Sequence, residues 1–130
     1  MAEIKKINSG SLFEEKISFS RAVVVDNWVF VSGCTGYDYK ENVLKEGIVA
    51  QTEQTFKNIE FALNQAGTDF NHVVKVVYYI ANPDEFEATW PVIKKYFGNI
   101  LPACTAICSP LVNSNIKIEI EVTAILPTKN

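Results

Sequence analysis

Between Val73 and Ile80 both alternating sets of side chains are largely apolar, with Val74, Val76, Tyr78 and Ile80 on one side and Val73, Val77 and Tyr79 on the other. A strand of that pattern belongs inside a sheet that is covered on both faces. The remaining elements must supply those covers. From Gly47 the period changes, and Ile48, Thr52, Phe56, Ile59, Leu63 and Ala66 recur at helical spacing before Gly67, the kind of residue that ends a helix. Asn82-Pro83-Asp84-Glu85 combines an N-cap, a proline at the first helical position and a carboxylate three residues after the cap. Pro91 lies too deep for the same start, so the pattern predicts a short turn over 83–90 and a second helix from Pro91 to Gly98. Its apolar stripe is Phe86, Trp90, Ile93 and Phe97.

Strands surround these helices. Ala22-Val23-Val24-Val25 and Trp28-Val29-Phe30-Val31 flank Asp26-Asn27, whose side chains tolerate the positive φ of a tight hairpin turn. Residues 36–42 read as a loop, polar but carrying Tyr37 and Tyr39. Ala103 to Ser109 alternates Cys104, Ala106 and Cys108 against Thr105 and Ile107. From Ile116 the alternation is clean: Ile116, Ile118, Ile120, Val122 and Ala124 face inward, and Lys117, Glu119, Glu121 and Thr123 face the other way. The expected fold is therefore α+β, a single domain over residues 1–130 with a mixed sheet and two helices on one face. Two helices cover one face only. The other face of the doubly apolar strand is expected to meet another subunit.

Composition narrows the function. Lysine and arginine number 12 against 15 acidic residues, a net charge of −3, and the lysines are scattered, which argues against nucleic acid as a partner. Arg21 is the only arginine. No apolar run approaches the roughly 20 residues that span a bilayer. The opening Met-Ala-Glu-Ile-Lys-Lys lacks an export signal and Cys34, Cys104 and Cys108 are odd in number, so a cytoplasmic protein with reduced thiols and no membrane contact is expected. Three cysteines and His72 form no metal motif, and neither a metal nor a cofactor is expected.

Candidate chemistry is sparse. No nucleophile elbow, phosphate loop or zinc-protease motif is present, and a single histidine precludes a paired-histidine ribonuclease mechanism. His72, at a helix-to-strand junction, reads as a surface or turn residue. Glu119 and Glu121 point the same way, roughly 7 Å apart. Spacing alone favours a solvated face beside Lys117; the sharper reading is a pocket carboxylate with a raised pKa, suited to general base work on a water. Cys104 and Cys108 read as buried thiols packed as small hydrophobes, Trp90 as a core residue, and Arg21 as an ordinary surface arginine. One alternative attaches to Arg21: it shares strand parity with Phe19 and so has a route into the same cleft.

Phe30-Val31-Ser32-Gly33, the helix from Gln51 to Gly67, Val73-Val74-Lys75-Val76, Asp84-Glu85-Phe86, Tyr96-Phe97-Gly98, Pro102-Ala103 and Lys117 to Val122 together resemble the Rid family, also called YjgF, many of whose members carry the label endoribonuclease L-PSP. The resemblance covers essentially residues 16–126. It implies a chorismate-mutase-like subunit forming a homotrimer, with small-molecule pockets in the clefts between subunits. Deaminases of this family hydrolyse reactive imine or enamine acids such as 2-aminoacrylate. The resemblance places an arginine that clamps the substrate carboxylate at Cys104, and a glutamate associated with the attacking water at Glu119. It also places a pocket aromatic, commonly tyrosine, at Phe19, and the backbone turn after Ser32 at Gly33 and Cys34. The clamp is therefore missing. A bidentate contact of this kind is worth on the order of 1.5 to 3 kcal/mol, and a thiol neither reaches nor carries charge.

These readings converge on a small-molecule protein of Rid type, hydrolytic on an imine, enamine or other small metabolite but not a standard 2-imino acid deaminase. Glu119 would position water in an interface pocket lined by Phe19, Gly33, Cys34, Trp90 and Cys104. A non-catalytic binding or chaperone-like trimer is the second reading, and an endoribonuclease the weakest.

Overall fold

The computed structural model describes residues 3–127; residues 1–2 and 128–130 of the expected domain lie outside the described residues. The strands are β1 (Ile4–Ile7), β2 (Ala22–Val25), β3 (Trp28–Cys34), β4 (Tyr37–Asp38), β5 (Val43–Leu44), β6 (Val73–Ile80), β7 (Ala103–Cys108) and β8 (Ile118–Ile125). The helices are α1 (Leu12–Lys16), α2 (Ile48–Ala66) and α3 (Trp90–Phe97), with 3-10 turns at Phe70–His72 and Pro83–Thr89. Six strands form one sheet in the order β1-β2-β3-β8-β6-β7, and β4 and β5 form a separate small hairpin. Only β6 and β7 pair in parallel, across the helical crossover that contains α3; the other pairs are antiparallel. This is a mixed α+β single domain, as the alternation of periods requires.

Local chemistry accounts for each element. Val25 pairs with Trp28 across the tight turn, where Asp26 adopts a left-handed φ of 53°. Every residue of the expected α2 stripe is buried, and Gly67 closes the helix at φ 93°, its N–H reaching Leu63 and Asn64 carbonyls. The restart at Pro91 is also present: the Asn82 side chain caps the 3-10 turn, and α3 begins at Trp90 with proline in its first turn. Phe56 of α2 stacks on Tyr96 at 4.5 Å and meets Phe97 edge-on at 5.4 Å, locking the two helices together.

Four expectations change. The loop over 36–42 includes the β4 strand and leads into β5. β6 does not alternate throughout: a bulge between Val73 and Lys75 turns Val74 outward and leaves Val73 buried. Cys104 and Cys108 share a face as their alternation requires, but both are exposed, because β7 is the outermost strand of the sheet. Trp90 is not core: it begins α3 with half its surface free. On the sheet face opposite α2, Trp28, Phe30 and Ile107 remain substantially exposed, an unpartnered apolar surface.

Candidate functional site

The site begins with an irregularity in β3. Val31 pairs with Val122 and Cys34 with Ile120, so β3 spends one residue more than β8 over that interval. The bulge keeps Cys34 on the buried face and sets Gly33 against Glu119 of β8. The Glu119 carboxyl lies so close to Gly33 that a methyl there would fall 2.8 Å from Glu119 Cδ, and only glycine leaves that space. Ser32 fastens the bulge, its Oγ donating to the Ser20 carbonyl at 2.6 Å and its N–H to the Arg21 carbonyl at 3.0 Å. Asn58 of α2 fixes the next stretch, donating to the carbonyls of Thr35 at 2.9 Å and Tyr37 at 2.8 Å.

Arg21 overturns the expectation of a surface residue: it is 2% exposed. A buried guanidinium requires partners, and the chain supplies them from three directions. Its Nε–H donates to Glu14 Oε2 at 3.4 Å, and Nη1 donates to the Gly33 carbonyl at 3.0 Å and to Cys34 Sγ at 3.4 Å. The guanidinium carbon lies 5.3 Å from the Phe19 ring centroid and 4.7 Å from that of Tyr39. Glu14 comes from α1, whose first turn is capped by Ser11, and its carboxylate also accepts from the N–H and hydroxyl of Ser9. Burial pushes the pKa of both the Cys34 thiol and the Tyr39 phenol up, which holds both in their neutral forms, and the carboxyl paired with Arg21 is that of Glu14.

A cavity of about 150 Å³ opens in front of this cluster, with Phe19, Arg21, Gly33, Tyr39 and Glu119 in its wall. Glu119 is half-buried. Burial, together with repulsion from Glu121, pushes its carboxyl above the ordinary range, and Arg21 offsets part of the rise. Such a carboxyl is a stronger base than a solvated one. Lys117, the neighbour of the solvated reading, pairs with Glu85 at 3.5 Å, and Glu121 accepts from the Tyr79 hydroxyl. Glu119 makes no ion pair among the described residues.

The remaining candidates lie apart within the subunit. Trp90 and Cys104 line a second cavity of about 450 Å³ between α3 and the β6–β7 edge, with Tyr78, Phe86 and Lys94. Burial pushes the Cys104 thiol up, which holds it in its neutral form. Cys34 lines neither cavity and touches the site from behind, through Arg21 and Tyr39. His72 lies in the 3-10 turn before β6, paired with Asp69 at 2.9 Å. Among the described residues no cluster of three His, Cys, Asp or Glu side chains is placed to hold a metal. Glu14 and Tyr39 join the site beyond the residues expected from the sequence. Ser11-x-x-Glu14 is a capping-box signature and would have revealed α1; nothing in the sequence directs Glu14 to Arg21.

The fold and the bulge site define a one-domain α+β protein whose sheet carries a small, aromatic-walled cavity with a carboxyl and a buried guanidinium in its lining. The endoribonuclease L-PSP family model matches residues 12–126, and the chain belongs to that family. It is 36% identical over 124 residues to the 2-iminobutanoate/2-iminopropanoate deaminase of Rattus norvegicus, covering 94% of this chain and 90% of that protein. It is 35% identical over 108 residues to the protein of the same name from Homo sapiens, covering 82% and 79%. Rv2704 of Mycobacterium tuberculosis, a member of the YjgF/YER057c/UK114 family, superposes with a TM-score of 0.86 at 30% identity, over 95% of this chain and all of that one. No helix among the described residues is long and apolar enough to cross a membrane.

Proposed function

We propose that this chain is a small-molecule hydrolase acting on an imine, an enamine or a related small metabolite, with Glu119 handling the proton of the attacking water. The observation that carries the reading is the Glu119 carboxyl, seated on the bulge at Gly33 and raised in pKa within a cavity. Water adds to the C=N carbon of the imine, or of the imine tautomer of an enamine, as Glu119 takes one water proton and returns it to nitrogen; the hydroxyl proton of the resulting carbinolamine then passes to nitrogen by the same carboxyl as the C–N bond breaks, the carbonyl forms and ammonia leaves. General base–acid catalysis of this type contributes about 10² to 10⁴-fold. Relatives named 2-iminobutanoate/2-iminopropanoate deaminase support the reaction class.

The specificity differs from that of an imino acid deaminase. Cys104 stands where the resemblance places the carboxylate-clamping arginine, and its thiol is neutral. The working form is a homotrimer in the cytoplasm, its clefts joining the Glu119 cavity of one subunit to the Trp90 and Cys104 cavity of the next. The exposed Trp28, Phe30 and Ile107 support that assembly.

The test is ammonia release from freshly generated 2-aminoacrylate and from neutral enamines, with Glu119→Gln as the control. Acceleration of neutral enamines that falls at least a hundredfold in Glu119→Gln is expected, with little on 2-aminoacrylate. Robust turnover of 2-aminoacrylate would refute the altered specificity. Rates unchanged in Glu119→Gln would remove the enzyme reading and leave a binding module.

A further inference from the structure

Arg21 is satisfied on one side and open on the other. Nε and Nη1 are committed to Glu14, Gly33 and Cys34, whereas Nη2 makes no hydrogen bond among the described residues. No fully buried side-chain nitrogen or oxygen in the described residues lacks a partner, so Nη2 must reach accessible space. Arg21 is 2% exposed, and the accessible space beside it is the Glu119 cavity that it lines. Two N–H donors of a buried, rigidly held guanidinium therefore face the place where a ligand would sit.

The charge of that guanidinium is already used. Glu14, its side chain fully buried, pairs with it from behind, and among the described residues no other cation lines the cavity. A carboxylate entering here would bring a second anion to a pair that is already neutral, beside the Glu119 carboxyl; the nearest further cation in the joined cleft is Lys94 of the Trp90 and Cys104 cavity, a flexible ammonium without the planar fork that clamps a carboxylate. A neutral acceptor meets no such penalty and takes both donors. The aromatic rings of Phe19 and Tyr39 complete a wall that suits an uncharged molecule.

We infer that Arg21 is the specificity-determining donor of this cavity, and that it selects a neutral carbonyl oxygen, that of an amide, carbamate or ester, over a carboxylate. The inference rests on the reading of the Glu119 cavity as the ligand site, and it names the group that the ligand presents opposite Glu119. It also explains why the thiol at position 104 is tolerated: a substrate without a carboxylate has no use for a second cation.

The test uses pyruvamide and pyruvate, which match in size and differ in charge. Because Arg21 is the only arginine, labelling the full-length protein with ¹³C,¹⁵N-arginine gives a single guanidinium spin system. Titration with pyruvamide is expected to shift the Arg21 Nη and Cζ resonances, with an apparent affinity at least tenfold above that for pyruvate. Arg21→Lys retains the charge beside Glu14 but loses the planar fork, and is expected to abolish the tenfold preference. Pyruvate binding as tightly as pyruvamide overturns the inference, as does saturation by pyruvamide that leaves the Arg21 resonances in place, or failure of both compounds to perturb them. The wild-type titration stands without the variant should Arg21→Lys fold poorly. Turnover does not enter the measurement: amide binding through Arg21 without catalysis would refute the hydrolase and keep this assignment, and Glu119-dependent catalysis without the preference would do the reverse.

Discussion

Replacing Gly33 with alanine is the most informative single perturbation, because it separates the position of Glu119 from the stability of the fold. Gly33 does not adopt a left-handed φ, so the backbone accepts alanine without strain. The added methyl would lie 2.8 Å from Glu119 Cδ and closer still to Oε2, whereas ordinary van der Waals contact begins at 3.4 Å. The obstacle is the flexible end of a side chain, so the carboxyl gives way rather than the sheet. We expect thermal stability to change by less than about 1 kcal/mol, the scale of glycine-to-alanine effects at compatible sites. The catalytic consequence is larger. Displacing a reacting group by about 1 Å costs on the order of 10²-fold in rate. The carboxyl is driven off the bulge into the open cavity, so its pKa should fall back toward the ordinary carboxylate range. A ¹³C titration of Glu119, with thermal unfolding and ammonia release on the same preparation, reads all three quantities. A Gly33→Ala protein with wild-type turnover and an unchanged Glu119 titration would refute the assignment of the carboxyl to the bulge.

Three further outcomes follow from the same structure. Glu14→Ala leaves the buried guanidinium of Arg21 without its anion and should cost about 3–5 kcal/mol in urea unfolding; a loss below about 1 kcal/mol would show the pair to be solvated. Glu119 has a raised folded-state pKa, so its contribution to stability is fully present below the ordinary carboxylate value and is lost as pH rises through the raised one. Glu119→Gln should therefore match the wild type in acid and gain on it toward neutrality, and a gap that is flat with pH would contradict the shift. Phe56→Ala empties the contact between α2 and α3 and should cost about 3–5 kcal/mol by chemical denaturation.

How much of this is legible in the sequence depends on whether the determining interaction is local. The α2 stripe, the Asp26-Asn27 hairpin and the restart at Pro91 are set by residues within a few positions of one another, and each stands where periodicity and capping place it. Burial of whole elements is different. Alternation correctly sets Cys104 and Cys108 on one face, but their exposure follows from β7 being outermost, a property of strand order. Val74 turns outward through a bulge that no two-residue period encodes. The first strand and helix are not legible because adjacent lysines break the two-residue period of β1 between Ile4 and Ile7, and α1, with five residues, is too short for the helical period to register.

The shortness of α1 also conceals the site. An arginine is expected on the surface because an unpaired buried guanidinium is prohibitively costly, and the expectation reverses only when a buried anion stands within reach. Here the anion is Glu14, on the helix whose brevity concealed it. Phe19 and Arg21 do line one cavity, but strand parity is not the reason, since both precede β2, which begins at Ala22. The partner at Glu14 is what lets Arg21 stay there. The composition holds one guanidinium, and folding commits three of its donors to Glu14, Gly33 and Cys34 before any ligand arrives. On the proposed reading, a chain with Cys104 where the resemblance places an arginine, and with its only arginine already paired to Glu14, has little means of holding a carboxylate in this cavity. Glu119 and the glycine beneath it would then carry the proton chemistry, and the charge of the molecule admitted would be what sets this chain apart from an imino acid deaminase.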